Sequence, residues 1–250
     1  MIFIKTDLEI GYMRLAGAVV RDTLLKLEEE IKIGMTTAEL DRIAEEYILK
    51  CGGKPSFKGY FGFPASICTS LNCEVVHGIP SKKIFLQEGD IISVDCGAIL
   101  NGYNGDAART FAVGNISKEA QKLIDVTRES FFKGAEAARV GNKLTDISSK
   151  VQQYVESFGY SVVRDYVGHG IGKDMHEDPE VPNYGRPGRG PKLLHGMVLA
   201  IEPMVNVGDY TVKTQANDWT VVTEDGSLSA HYENTVAILK DGPEILTWSK

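Results

Sequence analysis

The sequence predicts an α+β chain built twice over, and three observations carry that prediction. Two long helical patterns, each followed by a shorter one, precede groups of short β-type segments. The two sets fall into register at an offset of 107 residues, which matches Gly34 with Gly141, Leu40 with Ile147, Tyr47 with Tyr154, Gly52 with Gly159 and Gly89 with Gly196. The same offset pairs two carboxylates embedded in apolar strand patterns, Asp95 and Glu202. Two helix–helix–sheet units related by a local two-fold would turn equivalent strands toward one cleft. Those two acids would then face each other across it. The expected organisation is one domain over residues 1–250, with pseudo-symmetric halves at roughly 7–113 and 114–240.

The elements follow in order. Residues 7–33 read as a helix, with Ile10, Met13, Leu15, Ala16, Val19, Val20, Leu24 and Leu27 on a 3.6-residue period and Gly34 closing it. Thr36 and Glu39 form a capping box that opens a second helix to about residue 50, where Gly52-Gly53 stops it. Residues 54–65 carry Gly, Pro and aromatics and read as loop. Strands are expected at 66–70 and 91–98. The pairs Asn101-Gly102 and Asn104-Gly105 mark a tight reversal into a partner strand at about 105–113. A long helix at 118–138 ends near Gly141, and a shorter one at 143–157 ends at Gly159. Strands follow near 160–167, 197–205, 210–214, 218–224 and 231–239.

Composition narrows the functional classes. The chain has a net charge of −7 and no basic cluster typical of a nucleic-acid surface. It lacks an apolar run of the roughly 18–20 residues that a membrane span needs. Its opening residues reach Lys5 and Asp7 too soon for a secretory signal, so a cytoplasmic setting is expected. Four cysteines, Cys51, Cys68, Cys73 and Cys96, form no CxxC pair. Cys51 and Cys96 read as small buried apolar residues.

Five residues stand out as candidate metal ligands: Asp95, Asp106, His169, Glu202 and Glu233. Each lies in a strand pattern or Gly-rich turn whose apolar neighbours draw it inside. Alone, Asp106 reads as a turn residue and His169 as a structural imidazole. Together they make a cluster whose charges are costly to bury without a cation. Four anionic groups with one neutral nitrogen suit two divalent ions better than one. Oxygen-rich ligation with a single imidazole suits Mn²⁺, Fe²⁺ or Co²⁺, with Zn²⁺ also compatible, and leaves the native ion undetermined. The zincin motif HExxH is absent.

The motifs His77-Gly78-Ile79-Pro80, Val94-Asp95, Gly105-Asp106, Gly168-His169-Gly170-Ile171-Gly172, His176-Glu177-Asp178-Pro179, Ile201-Glu202-Pro203-Met204 and Tyr232-Glu233-Asn234-Thr235 span almost the whole chain. Ligand spacings of 11, 63, 33 and 31 residues follow the order Asp, Asp, His, Glu, Glu. In these respects the chain resembles the bacterial type I methionine aminopeptidases of the M24 peptidase family, which have the pita-bread fold. The resemblance implies a single catalytic domain that removes the N-terminal methionine from nascent proteins and peptides, preferring a small second residue. It implies a dinuclear site in which Asp95 chelates one ion, His169 and Glu202 hold the other, and Asp106 and Glu233 bridge both. A metal-bridged hydroxide would attack the first peptide bond, with the substrate's α-amine bound to one ion. Glu202 would carry the proton, and His77 and His176 would contact the scissile amide and its carbonyl oxygen. Tyr60, Phe63, Cys68 and Trp219 match the family's methionine pocket. Phe57 stands where many relatives carry cysteine and Met175 where an aromatic is frequent, which bears on pocket shape. His195 and His231 have no motif role and read as structural or surface groups. Nascent chains are the implied partners, a setting compatible with ribosome association, and the fold's relatives are typically monomers.

Related families fit less well. Prolidases and aminopeptidases P usually carry an extra N-terminal domain, for which this chain has no room. Type II methionine enzymes usually insert a long helical segment between the His and first Glu ligands, where this chain has 32 residues. A non-catalytic peptide-binding relative would have lost ligands, and all five stand here together with His77 and His176.

Overall fold

In the computed structural model, which describes residues 1–248, each half sets a pair of helices behind antiparallel strands. Helix α1 (Asp7–Glu30) opens on a capping box in which Thr6 accepts from the Glu9 backbone and the Glu9 carboxylate accepts from Thr6 N. Its buried face is the periodic set read from sequence apart from Leu15, with Gly17 and Thr23 added. Leu15 falls off that face and is 51% exposed. The helix stops short of residue 33 because Ile31 turns extended. Helix α2 (Thr37–Lys50) opens on the same device at Thr36 and Glu39. Each box satisfies backbone N–H groups that a helix start leaves free.

Strands β1 (Lys54–Pro55), β2 (Ile67–Leu71), β3 (Glu74–Val76), β4 (Ile91–Leu100) and β5 (Tyr103–Ala112) complete this half. The long strand β4 carries β5 on one edge, and β2 then β1 on the other. The hairpin turns on Asn101-Gly102 alone, with φ of 53° and 80° and Leu100 facing Tyr103; two left-handed residues are what a type I′ turn requires. The second Asn-Gly pair, expected in the reversal, lies inside β5 instead. Gly105 is there because α1 crosses it, where a Cβ would sit 2.8 Å from Gly17 N. Asn104 accepts from Ser56 Oγ and donates to the carbonyls of Gly172 and Lys173.

Helices α3 (Lys118–Glu136) and α4 (Leu144–Glu156) pack together in the second half. The strands that follow are β6 (Ser161–Val162), β7 (Gly168–Gly170), β8 (Glu177–Val181), β9 (Val198–Ile201), β10 (Met204–Asn206), β11 (Val212–Thr214), β12 (Val221–Thr223), β13 (Ser229–His231), β14 (Asn234–Leu239) and β15 (Gly242–Ile245). They form ladders in the orders β15-β14-β9-β7-β8 and β13-β10-β6, and β3 of the first half joins β12 and β11. Matched glycines share left-handed backbone: φ is 85° and 98° at Gly34 and Gly141, 78° and 81° at Gly52 and Gly159, and 91° and 88° at Gly89 and Gly196. This is the pseudo-two-fold pita-bread arrangement, antiparallel strands backed by helices.

Two expected strands are each broken once, at the same place. The segment 197–205 divides at Glu202-Pro203, and 231–239 divides at Tyr232-Glu233. Pro203 has no N–H for the ladder. Pairing of Ile201 with Asn234 and of Met204 with His231 keeps one register across the gap, so Glu202 and Glu233 come opposite each other. The core lies between helices and strands in each half. Leu24, Leu27, Leu40, Ile48, Ile92 and Val94 fill one side, and Phe131, Ile147, Leu199, Ile201, Val236 and Ile238 the other. Cys96 is buried as expected, whereas Cys51 is exposed at the end of α2, beyond its buried face.

Candidate metal centre

Four of the five candidate ligands are held by paired backbone, and Glu202, in the break after β9, has its carbonyl held by Asn183 Nδ2 at 2.9 Å. The β4–β5 register sets Asp95 opposite Ala108 and Asp106 opposite Gly97, making the acids diagonal neighbours on one face. Asp106 N donates to Thr235 Oγ1 at 3.0 Å, and that hydroxyl donates back to Asp106 O at 2.9 Å. Glu233 exchanges both backbone bonds with Ala108, at 3.0 and 3.3 Å, which stitches the halves together. His169 sits in β7 between two glycines that neighbouring strands demand. A Cβ at Gly168 would lie 2.3 Å from Ala200 O, and one at Gly170 2.2 Å from Asp178 O. The His169 Nδ1–H donates to Gly170 O at 2.8 Å, since a carbonyl can only accept. That tautomer leaves the Nε2 lone pair free to bind a cation. Nε2 lies 3.8 Å from Asp106 Oδ2 and 3.7 Å from Glu202 Oε1.

Burial sets the electrostatics. Asp106 and Glu233 are buried outright. Asp95 and Glu202 keep a little surface on the cavity while protein encloses them at longer range. Burial raises the Asp95 carboxyl to about 7. Burial first, and then the neighbouring acids, push Asp106, Glu202 and Glu233 well above the ordinary carboxylate range. Burial lowers His169 to about 3, so its imidazole is neutral. Asp95 Oδ1, Asp106 Oδ1 and Glu233 Oε1 are buried without a hydrogen-bond partner. Ligand atoms of Asp106, His169 and Glu233 lie within 4.8 Å of one another, as do those of Glu202, His231 and Glu233. Orphaned buried carboxylate oxygens around a neutral imidazole fit divalent cations.

Above these acids is a cavity of about 240 Å³, and all eleven site residues named from sequence line it. Phe63 and Trp219 meet edge to face at 5.1 Å beside buried Cys68. Tyr60, expected only as a pocket wall, also places its hydroxyl 2.9 Å from His176 Nδ1. His77 adopts φ 60°, a strained conformation for a side-chain-bearing residue. Gly78 beside it is required, since a Cβ there would lie 2.0 Å from Thr69 O. Burial lowers His77 to about 4 and His176 in the same direction.

Phe57 and Met175, the two departures that bear on pocket shape, also line the cavity, joined by Phe61, which the sequence did not single out. Phe57 and Met175 lie over Gly97, where a Cβ would come within 2.8 and 3.2 Å of them. Phe61, at φ 46°, is 85% exposed at the rim. Arg109 was also unanticipated. Its half-buried guanidinium donates to the carbonyls of Ala108 and Glu233 and to Asn234 Oδ1, and lies 4.2 Å over the Tyr232 ring. An arginine inside an apolar strand pattern was the available signal. His195 is half-buried and 3.6 Å from Asp7. His231, read as structural or surface, is instead buried against Glu202 and Glu233. A larger cavity of about 490 Å³ between α1 and α3 contains no comparable cluster of acids.

An acidic nest that requires cations, lying at the floor of a cleft, defines a metal-dependent hydrolase of the pita-bread fold. The chain belongs to metallopeptidase family M24, whose sequence pattern matches residues 11–240. The methionine aminopeptidase of Clostridium acetobutylicum is 76% identical to it over 247 residues, 99% of each chain. Methionine aminopeptidase 1 of Bacillus subtilis is 56% identical, again over 99% of each. Among solved structures, the methionine aminopeptidase of Thermotoga maritima superposes with a TM-score of 0.98 at 46% identity, covering all of both chains.

Proposed function

We infer that this chain is a methionyl aminopeptidase that hydrolyses the first peptide bond of peptides and proteins beginning with methionine. The observation that carries the reading is one cavity that joins the acidic nest to an apolar, aromatic-lined pocket. Phe63, Cys68 and Trp219, with Tyr60, form a wall suited to a thioether, whose sulfur packs well against aromatic edges. The nest draws a free α-amine to one end, which restricts cleavage to a chain terminus. The halves at 7–113 and 114–240 act as one catalytic domain, because the site draws residues from both.

Asp95, Asp106, His169, Glu202 and Glu233 would hold two divalent ions, Co²⁺, Mn²⁺, Fe²⁺ or Zn²⁺. When bound, such a pair supplies Lewis acidity and lowers the pKa of water at the site. Glu202 accepts the proton lost from water and returns it to the leaving amine. His77 and His176 are neutral and donate N–H bonds to the scissile amide and to the oxygen that gains charge. A Tyr60 hydroxyl donating to His176 Nδ1 leaves Nε2–H to face that oxygen. The reading includes a preference for a small second residue.

We place this activity in the cytoplasm, on a monomer acting on nascent chains at the ribosome. Among the described residues no helix is long and apolar enough to cross a membrane. Metal-stripped protein should not cleave Met-Ala-Ser, and should do so after Mn²⁺, Co²⁺, Fe²⁺ or Zn²⁺ is restored. Chelator-resistant cleavage, or equal rates on Met-Ala and Met-Leu peptides, would contradict the reading. Sedimentation with ribosomes and gel filtration test the setting.

A further inference from the structure

His231 ends β13 just before the break that holds Glu233, and its Nε2 lies 4.0 Å from Glu233 Oε2, so both side chains face the nest. Its backbone is pinned on both sides by one hydroxyl: His231 N donates to Thr110 Oγ1, and Thr110 O–H donates to His231 O, each at 2.9 Å. The ring is only 1% exposed, and neither nitrogen has a hydrogen-bond partner. Nε2 lies 3.7 Å from Glu202 Oε2, while the other oxygen of that carboxylate, Oε1, lies 3.7 Å from His169 Nε2. Glu202 is therefore flanked by two imidazoles, one on each oxygen. His169 has its Nδ1 satisfied by a carbonyl, which frees Nε2 as a lone-pair donor. No such bond fixes the His231 ring, so its Nε2 is available as an N–H.

We propose that His231 is a positioning residue whose Nε2–H donates to Glu202 Oε2, holding Oε1 toward His169. This rests on the reading of Glu202 as ligand and proton carrier. The present separation is roughly 0.5–1 Å beyond hydrogen-bonding range, and a rotation of the carboxylate closes it. The bond gives the two oxygens of Glu202 different tasks. Oε2 is anchored to protein and Oε1 is presented to the cleft. Partners of this kind orient ligating groups and are worth about 10–100-fold in metal affinity or activity.

The test compares His231→Leu, which removes the donor, with His231→Gln, whose amide N–H reaches a similar point. Mn²⁺ is titrated calorimetrically into each metal-stripped protein, and kcat and KM are measured separately on Met-Ala-Ser. The Leu variant should bind one of the two ions about 10–100-fold more weakly and lose a comparable factor in kcat with little change in KM. The Gln variant should recover most of both, and its Co²⁺ absorption spectrum should match that of the parent. Melting curves establish that each variant is folded, and His231→Asn, too short to reach, replaces Leu if that variant is not. Parent-like affinity and kcat in the donor-free variant would overturn the proposal. So would a Gln variant as impaired as Leu with an altered Co²⁺ spectrum, which would make the imidazole itself a ligand. A parent protein that binds no ion would sink the metal-site reading instead, a result distinct from either.

Discussion

Replacing Thr235 by valine tests whether the acids are held by the backbone as described. Thr235 is completely buried, and its hydroxyl bridges the N–H and C=O of Asp106. Ala108 directs both of its main-chain groups toward Glu233, and antiparallel alternation points those of Asp106 the same way, away from β4. Valine fills the same space without the hydroxyl, so no cavity forms. Two buried main-chain groups lose their partner at about 1–3 kcal/mol each, so the loss should be about 2–6 kcal/mol. That is a large part of the roughly 5–15 kcal/mol that stabilises a typical domain. Thr235→Ser keeps the bridge and deletes one methyl group, for about 0.5–1.5 kcal/mol. Volume alone ranks valine as harmless and serine as costly; the hydrogen bonds reverse that order. Urea unfolding of the metal-stripped proteins reads the ranking directly. Calorimetric Mn²⁺ titration should also show weaker binding in the valine variant, because Asp106 is no longer fixed. A valine variant as stable as the parent, with unchanged affinity, would refute the argument.

Asp106→Asn should lose at least one ion per chain and nearly all turnover; full activity with parent metal content would reject its role. His77→Ala should keep its ions by metal analysis and lose about 100–1,000-fold in kcat. Lys5→Met should cost about 3–5 kcal/mol in denaturant unfolding, because Lys5 and Glu177 form an ion pair with both side chains only 5% exposed. Adding Glu177→Gln should recover most of that loss, and no recovery would mean that charge is not the cause. Glu9 is held at about 2 by its bonds to the Thr6 backbone and hydroxyl and to Tyr103. Its folded pKa lies below the unfolded value near 4.5, so its contribution is complete above that pH and fades as pH falls toward 2. Glu9→Gln should therefore melt lower than the parent at pH 7, with the gap narrowing near pH 3.

The helices were legible because their signals are local. Thr36 and Glu39 announce a start in four residues, and Gly52 and Gly159 announce stops. The candidate ligands were legible because carboxylates such as Glu202 stand out in apolar strand patterns. What sequence could not show depends on contacts made across the fold. Gly105 looks like part of a turn until α1 is known to cross it, and β7 looks like loop until its glycines are seen wedged between strands. The breaks at Glu202 and Glu233 coincide only because the two segments pair. His231 shows nothing local, and only the register that sets it opposite Met204 reveals its neighbours.

Floor and walls of the cavity are built from different material. Asp95 and Asp106 ride on strands and Glu202 and Glu233 on the short breaks between laddered ones, whereas Phe57, Phe61 and Met175 come from intervening connections that lean over Gly97 or stand at the rim. Those aromatic and thioether groups can therefore drift, by mutation or by design, and reshape which peptides are admitted while the hydrolytic apparatus stays untouched. Substitutions at these three places are the natural route to an inhibitor that distinguishes this protein from its cousins.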